Sequence, residues 1–225
     1  MDDKNSECHR LVKHYTSQID KLAIAELPPY EGHGREVVLV DDHNIHLAVH
    51  DLLQQRYLGF DTESKPTFRK GEVSSGIAIA QISSVSKCYI FLLNNITDTS
   101  LLDEIVGSQK IIKIGVGLKD DLSKLRGKHK LHPVSFVDLG VIFRSFGRKN
   151  SLGSKQLVAL VLNKKLRKSK SVTTSNWATA ILSSMQVEYA SDDAFSSIDA
   201  YLKLREVFSP CVEQLDKSVV KLLDL

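Results

Sequence analysis

Two acids one residue apart, Asp61 and Glu63, close the short run Tyr57-Leu-Gly-Phe-Asp-Thr-Glu63, just ahead of the loop signal Ser64-Lys-Pro66. In an extended strand, residues i and i+2 share a face, so the two carboxylates converge. Adjacent carboxylates repel unless a cation or a proton lies between them, and hard oxygen ligands of this kind suit Mg²⁺ or Mn²⁺. A second pair, Asp120-Asp121, follows Ile114-Gly-Val-Gly-Leu-Lys, where a strand end, a glycine turn and a helix start are expected. Acids in a first helical turn also serve as caps. The stretch is no dinucleotide fingerprint, because Asp120 stands where the third glycine would be. Tyr189 and Asp193 form the third group; on a helix, that spacing puts hydroxyl and carboxylate on one face, a turn apart.

Strands and helices must bring these groups together. Val37 to Val40 reads as the opening strand, and 44–55 as a helix leading into the strand that carries Asp61. Residues 76–82 and 88–93 read as adjacent strands, with 83–87 as their hairpin connection. From about residue 100, helices and short strands alternate, and Ala194, Ile198 and Tyr201 give the stretch after Tyr189 a helical period. The pattern predicts an α/β fold, a mixed sheet with helices on both faces. Residues 1–35 read as an N-terminal extension, helical over Leu11 to Leu27, then broken by Pro28-Pro-Tyr-Glu-Gly-His-Gly34. It is either a packing helix or a partly ordered tail. Residues 36–225 read as one domain, ending in a helix within 211–225.

Taken in order, the three groups resemble the DEDD superfamily of 3′ to 5′ exonucleases in its tyrosine subgroup, with the Werner-type and ribonuclease D-like domains most similar. Gly59-Phe-Asp-Thr-Glu63 looks like the first motif, Gly115-Val-Gly-Leu-Lys-Asp-Asp121-Leu-Ser-Lys-Leu the second, and Tyr189-Ala-Ser-Asp-Asp193-Ala the third. Asp138-Leu139 and Ser175-Asn-Trp177 resemble further recurrent stretches, and the likeness runs from about Val37 to about Phe208. The family's second aspartate falls four residues after the second glycine of this stretch, so the resemblance implies Asp121 rather than Asp120, and the subgroup's tyrosine stands four residues before its aspartate, which implies Asp193 rather than Asp192. Glu188 holds the position at which the histidine subgroup carries its histidine.

The resemblance implies a ribonuclease H-like fold and a nuclease that releases nucleoside monophosphates from the 3′ ends of DNA or RNA, single-stranded or recessed. It also implies two divalent ions, Mg²⁺ or Mn²⁺, that clamp the scissile phosphate, one activating water and the other stabilising the leaving 3′ oxygen. Asp61 would bridge the ions, Glu63 and Asp193 would complete one site, Asp121 would hold the second, and Tyr189 would orient the attacking water. A catalytically silent nucleic-acid-binding module of the same fold is the alternative.

Composition agrees with this reading. The chain has 225 residues, 42% of them hydrophobic, a formal charge of +3 and a pI near 8.6, enough for one core and short of a global polycation. Charge is instead local. Lys164-Lys-Leu-Arg-Lys-Ser-Lys170 precedes several hydroxyls and Trp177, a combination suited either to single-stranded nucleic acid, with Lys168 and Lys170 on phosphates and Trp177 stacked on a base, or to a solvated loop with Trp177 packed inward. Phe68 and Arg69, just past the first motif, are further candidates for the terminal nucleotide. The start Met-Asp-Asp-Lys is no secretory signal, and the longest apolar run, Leu157 to Leu162, is far short of the ~18 residues of a membrane span. Cys8, Cys88 and Cys211 are odd in number and widely separated, which suits free thiols in a reducing interior. A cytoplasmic or nuclear protein is expected, and no motif reveals an oligomeric state.

Overall fold

A computed structural model describes residues 2–66 and 76–225. Helices α1 (Asp2–Thr16) and α2 (Lys21–Glu26) precede strand β1 (Glu36–Val40), and α3 (Ile45–Leu53) leads into β2 (Tyr57–Ser64). Next come β3 (Ile77–Ser83), β4 (Lys87–Leu92), α4 (Ser100–Val106), β5 (Ile112–Gly115), α5 (Lys119–Gly127) and β6 (Phe136–Asp138). The remainder is helical: α6 (Leu139–Ser145), α7 (Ser154–Leu162), α8 (Lys170–Thr173), the long α9 (Ser184–Phe208) and α10 (Lys217–Leu223). Among the described residues, no helix is long and apolar enough to cross a membrane.

The six strands form one sheet in the order β1-β4-β3-β2-β5-β6. Strand β3 runs antiparallel to β2 and β4, while every other pair is parallel. Period-two alternation sends Cys88, Ile90 and Leu92 into an apolar cluster under α6, α7 and α9, and Tyr89 and Phe91 into a second one under α3, α4 and α5. In β2 the same rule puts Leu58 and Phe60 into the second cluster. Gly59, Asp61 and Glu63 therefore face α9. The expected mixed α/β sheet with helices on both faces is the observed one.

Helix α9 lies so close to β2 that a Cβ on Gly59 would come 2.0 Å from the Ala194 carbonyl oxygen and 2.6 Å from Ser83 Oγ. Backbone cannot yield as a flexible side chain does, so only glycine permits this approach. We expect Gly59→Ala to destabilise the fold by on the order of 1–3 kcal/mol, read as a lower melting temperature.

The residues ahead of β1 are bound to the core. The apolar spacing over 11–27 is split into two helices, because Ser17 bonds back to the His14 carbonyl while Asp20 caps α2 through the Leu22 N–H. Farther on, the Tyr30 hydroxyl donates to Asp199 at 2.6 Å, and Arg35 donates to the same carboxylate at 2.7 and 3.1 Å while lying over the Phe195 ring. A disulfide joins Cys8 of α1 to Cys211, which corrects the expectation of three free thiols; only Cys88 is free and buried. The two half-cystines are 203 residues apart, so nothing local in the sequence marks them as partners.

Candidate catalytic and metal site

Three of the expected acids meet between the interior strand β2 and helix α9. Asp61 and Glu63 point from β2 toward α9, and Asp193 points back from α9. One carboxylate oxygen from each lies within 4.8 Å of the others. Asp193 is buried, and the partner of its Oδ2 is Lys168 Nζ, an ion pair at 3.0 Å. Three converging carboxylates, one of them buried, form an all-oxygen donor set of the kind that a hard divalent cation fits.

Asp121 stands apart from this trio. It starts α5 on the opposite face of the sheet, and its Oδ1 accepts from Thr62 Oγ1 at 2.5 Å. Thr62 points away from Asp61 and Glu63, as its place between them in a strand requires. Asp121 remains near enough to raise the pKa of Asp61 and Glu63 by its charge. Asp120 beside it is exposed. The turn before α5 is fixed by Asp138, whose carboxylate accepts from the N–H groups of Gly117, Leu118 and Gly140. Gly117 takes φ +76°, a conformation that suits glycine.

The electrostatics follow from crowding. Burial, then the neighbouring Asp193, pushes the Asp61 carboxyl well above the usual range, and the same two causes push Glu63 up to about 8. Asp193 is also raised by burial, with Lys168 opposing, and Asp121 is raised by burial, with the Thr62 hydroxyl opposing. Without a cation among them, these acids hold protons that ordinary carboxylates would lose.

Tyr189 lies one turn before Asp193 on α9, as expected. It is buried, and Thr173 Oγ1 donates to its hydroxyl oxygen at 3.2 Å. Burial raises its pKa, so the hydroxyl keeps its proton. Trp177 is a correction: it is 1% exposed, donates its ring N–H to the Thr173 carbonyl, and packs against Tyr189 at 5.7 Å between ring centroids. It therefore supports the tyrosine and cannot stack on a base. Lys168 is also placed differently from a plain backbone contact. Its ammonium pairs with Asp193 and sits 5.2 Å from the centre of the Tyr189 ring. Burial alone would lower its pKa, but the charges of Asp193 and Asp61 outweigh this and keep it protonated. Lys170 is exposed at the start of α8. Phe68 and Arg69 lie outside the described residues.

Several contributors carried no signal as single residues. Thr62 and Thr173, the partners of Asp121 and Tyr189, read as ordinary strand and loop residues. Asp138 was marked only by the recurrent Asp138-Leu139 stretch.

A profile described as "3'-5' exonuclease" matches residues 38–208. The chain is 33% identical over 149 residues to the bifunctional 3'-5' exonuclease/ATP-dependent helicase WRN of Mus musculus, over 65% of this chain and 11% of that protein. It is 26% identical over 153 residues to a 3'-5' exonuclease of Arabidopsis thaliana, over 67% of this chain and 53% of that one. The chain thus spans a small part of the first and about half of the second. The Nibbler EXO domain of Aedes aegypti shares the fold, with a TM-score of 0.70 and 22% identity over 92% of this chain and 99% of that domain. With most of its length covered by the profile and three of its acids gathered between β2 and α9, the chain belongs to the 3'-5' exonuclease domain family.

Proposed function

We propose that the protein is a divalent-metal-dependent 3′ to 5′ exonuclease that hydrolyses the terminal phosphodiester of DNA or RNA by a two-metal-ion mechanism and releases nucleoside 5′-monophosphates. The observation that carries this reading is the convergence of Asp61, Glu63 and Asp193, one oxygen each within 4.8 Å. Mg²⁺ or Mn²⁺ held there supplies the Lewis acidity that activates water and stabilises the leaving 3′ oxygen. Asp61, Glu63 and Asp193 would hold one ion, and Asp121, oriented by Thr62, would help to hold the second.

Tyr189 is assigned to orienting water rather than to taking its proton. Its hydroxyl is held beside Thr173 Oγ1, and its raised pKa makes it a poor base. Tyr189→Phe should lower kcat by roughly a hundredfold with little change in KM, as expected for a group that acts mainly in the transition state. An equal loss through KM alone would assign the ring to substrate binding.

A groove of about 700 Å³ opens beside the site, lined by Lys21, Lys155, Lys165, Arg167 and Lys168 together with the apolar Ile24 and Leu166. Charge of one sign over apolar walls suits a single strand, with phosphates on the cations and bases against the walls. We assign the strand behind the 3′ end to this groove, with Lys170 as a further phosphate contact. Incubation with DNA and RNA oligonucleotides of one sequence, followed by anion-exchange separation of the products, tests the assignment. Nucleoside 5′-monophosphates are expected; 3′-monophosphates or internal fragments would overturn it, and the ratio of the two rates names the preferred sugar.

A further inference from the structure

Lys168 is held where it is by more than its own ion pair. The segment between α7 and α8 is locked to the chain ahead of β1, because Lys165 N–H donates to the Pro28 carbonyl and Tyr30 N–H donates to the Lys165 carbonyl. Leu166 is buried in the core beneath it, and the Lys168 carbonyl accepts from Lys155 Nζ at 3.4 Å. From this anchored backbone the ammonium reaches Asp193 at 3.0 Å, with 23% of the Lys168 side chain exposed and 3% of Asp193. The cation therefore lies against the same buried carboxylate that completes the trio.

We propose that Lys168 is a built-in counter-ion that competes with divalent metal for the Asp193 carboxylate and thereby sets the metal affinity of the site. The inference rests on the reading of Asp61, Glu63 and Asp193 as a metal centre. A fixed ammonium beside a ligand oxygen has to move away or repel the entering ion at close range, and in partly buried surroundings that repulsion is substantial. Lysine suits the task, being a compact charge on a flexible stem that can swing out of the way. Lys124 is the natural comparison: its ammonium is bonded to Ser64 Oγ at 3.1 Å rather than to a carboxylate.

Isothermal titration calorimetry with Mg²⁺ at pH 9, where protons compete little for the carboxylates, tests this directly on the whole chain. Lys168→Met should bind Mg²⁺ at least about tenfold more tightly than wild type, while Lys168→Arg and Lys124→Met stay within about threefold. In EDTA, Lys168→Met should also melt at a lower temperature, having lost its counter-ion, which a lysine that only touches nucleic acid would not cause. If Lys168→Met does not fold, Lys168→Gln serves the same comparison. Unchanged or weaker Mg²⁺ binding by the folded variant, beside clear binding by wild type, would overturn the inference and leave the metal centre standing. No Mg²⁺ binding by wild type, with Asp61→Asn identical to it, would overturn the metal centre itself.

Discussion

Asp61→Asn is expected to reduce exonuclease turnover by at least about a thousandfold, about 4 kcal/mol of transition-state stabilisation. The reason is position. Asp61 is raised by burial and then by the charges of Asp193, Glu63 and Asp121, so it feels all three of the other acids. The amide keeps the size of the side chain and removes the charge that would lie between two ions. The same change should stabilise the protein in EDTA at alkaline pH, because an amide stays neutral where the crowded buried acids would ionise and repel one another. A fall in activity with a higher melting temperature separates a functional role from a structural one. Activity within tenfold of wild type would remove Asp61 from the reaction.

The second large effect is on stability against pH. Glu63 titrates near 4.5 when unperturbed and at about 8 in the folded chain. Between those values the folded state holds a proton that the unfolded state has lost. Stability from this group is therefore fully present below about pH 4.5 and is lost as pH rises through 8. Asp61 and Asp193 are shifted in the same direction and add to it. In EDTA, the melting temperature should fall between pH 5 and pH 8.5, with a smaller fall in Glu63→Gln. Saturating Mg²⁺ should flatten the slope, since metal replaces protons on the same oxygens, and the apparent metal affinity should rise with pH. Equal slopes in wild type and Glu63→Gln would place the titration elsewhere.

What the sequence reveals depends on how local each cause is. The alternation in β4 and the Tyr189-to-Asp193 spacing on α9 are set by strand and helix geometry, so both are legible before any fold is known. The convergence of Asp61 with Asp193 is legible only through the ordered motifs, because it needs α9 to lie against Gly59, a contact between distant segments. Asp121 looked equivalent to the other acids, yet it reaches the site from the opposite layer of helices and takes a hydroxyl from Thr62. Trp177 misled for the opposite reason. Its polar and basic neighbours suggested an open loop, whereas its ring fills the space behind Tyr189. The break between α1 and α2 turned on two short polar side chains that bond to nearby backbone, a competition that apolar spacing does not register. The Cys8–Cys211 bridge and the Arg35–Asp199 pair join chain segments far apart in sequence, and no periodicity records such pairings.

The most direct test of the central claim is a denaturing gel of DNA and RNA substrates, single-stranded and 3′-recessed, each labelled at its 5′ end and incubated with Mg²⁺, Mn²⁺ or EDTA. A ladder shortening from the 3′ end with either metal, absent in EDTA and absent with Asp61→Asn, is the predicted result. Intact substrate in every lane from folded wild-type protein would contradict it, and salt-sensitive binding of the same oligonucleotides would then identify a nucleic-acid-binding module that keeps the fold without the chemistry.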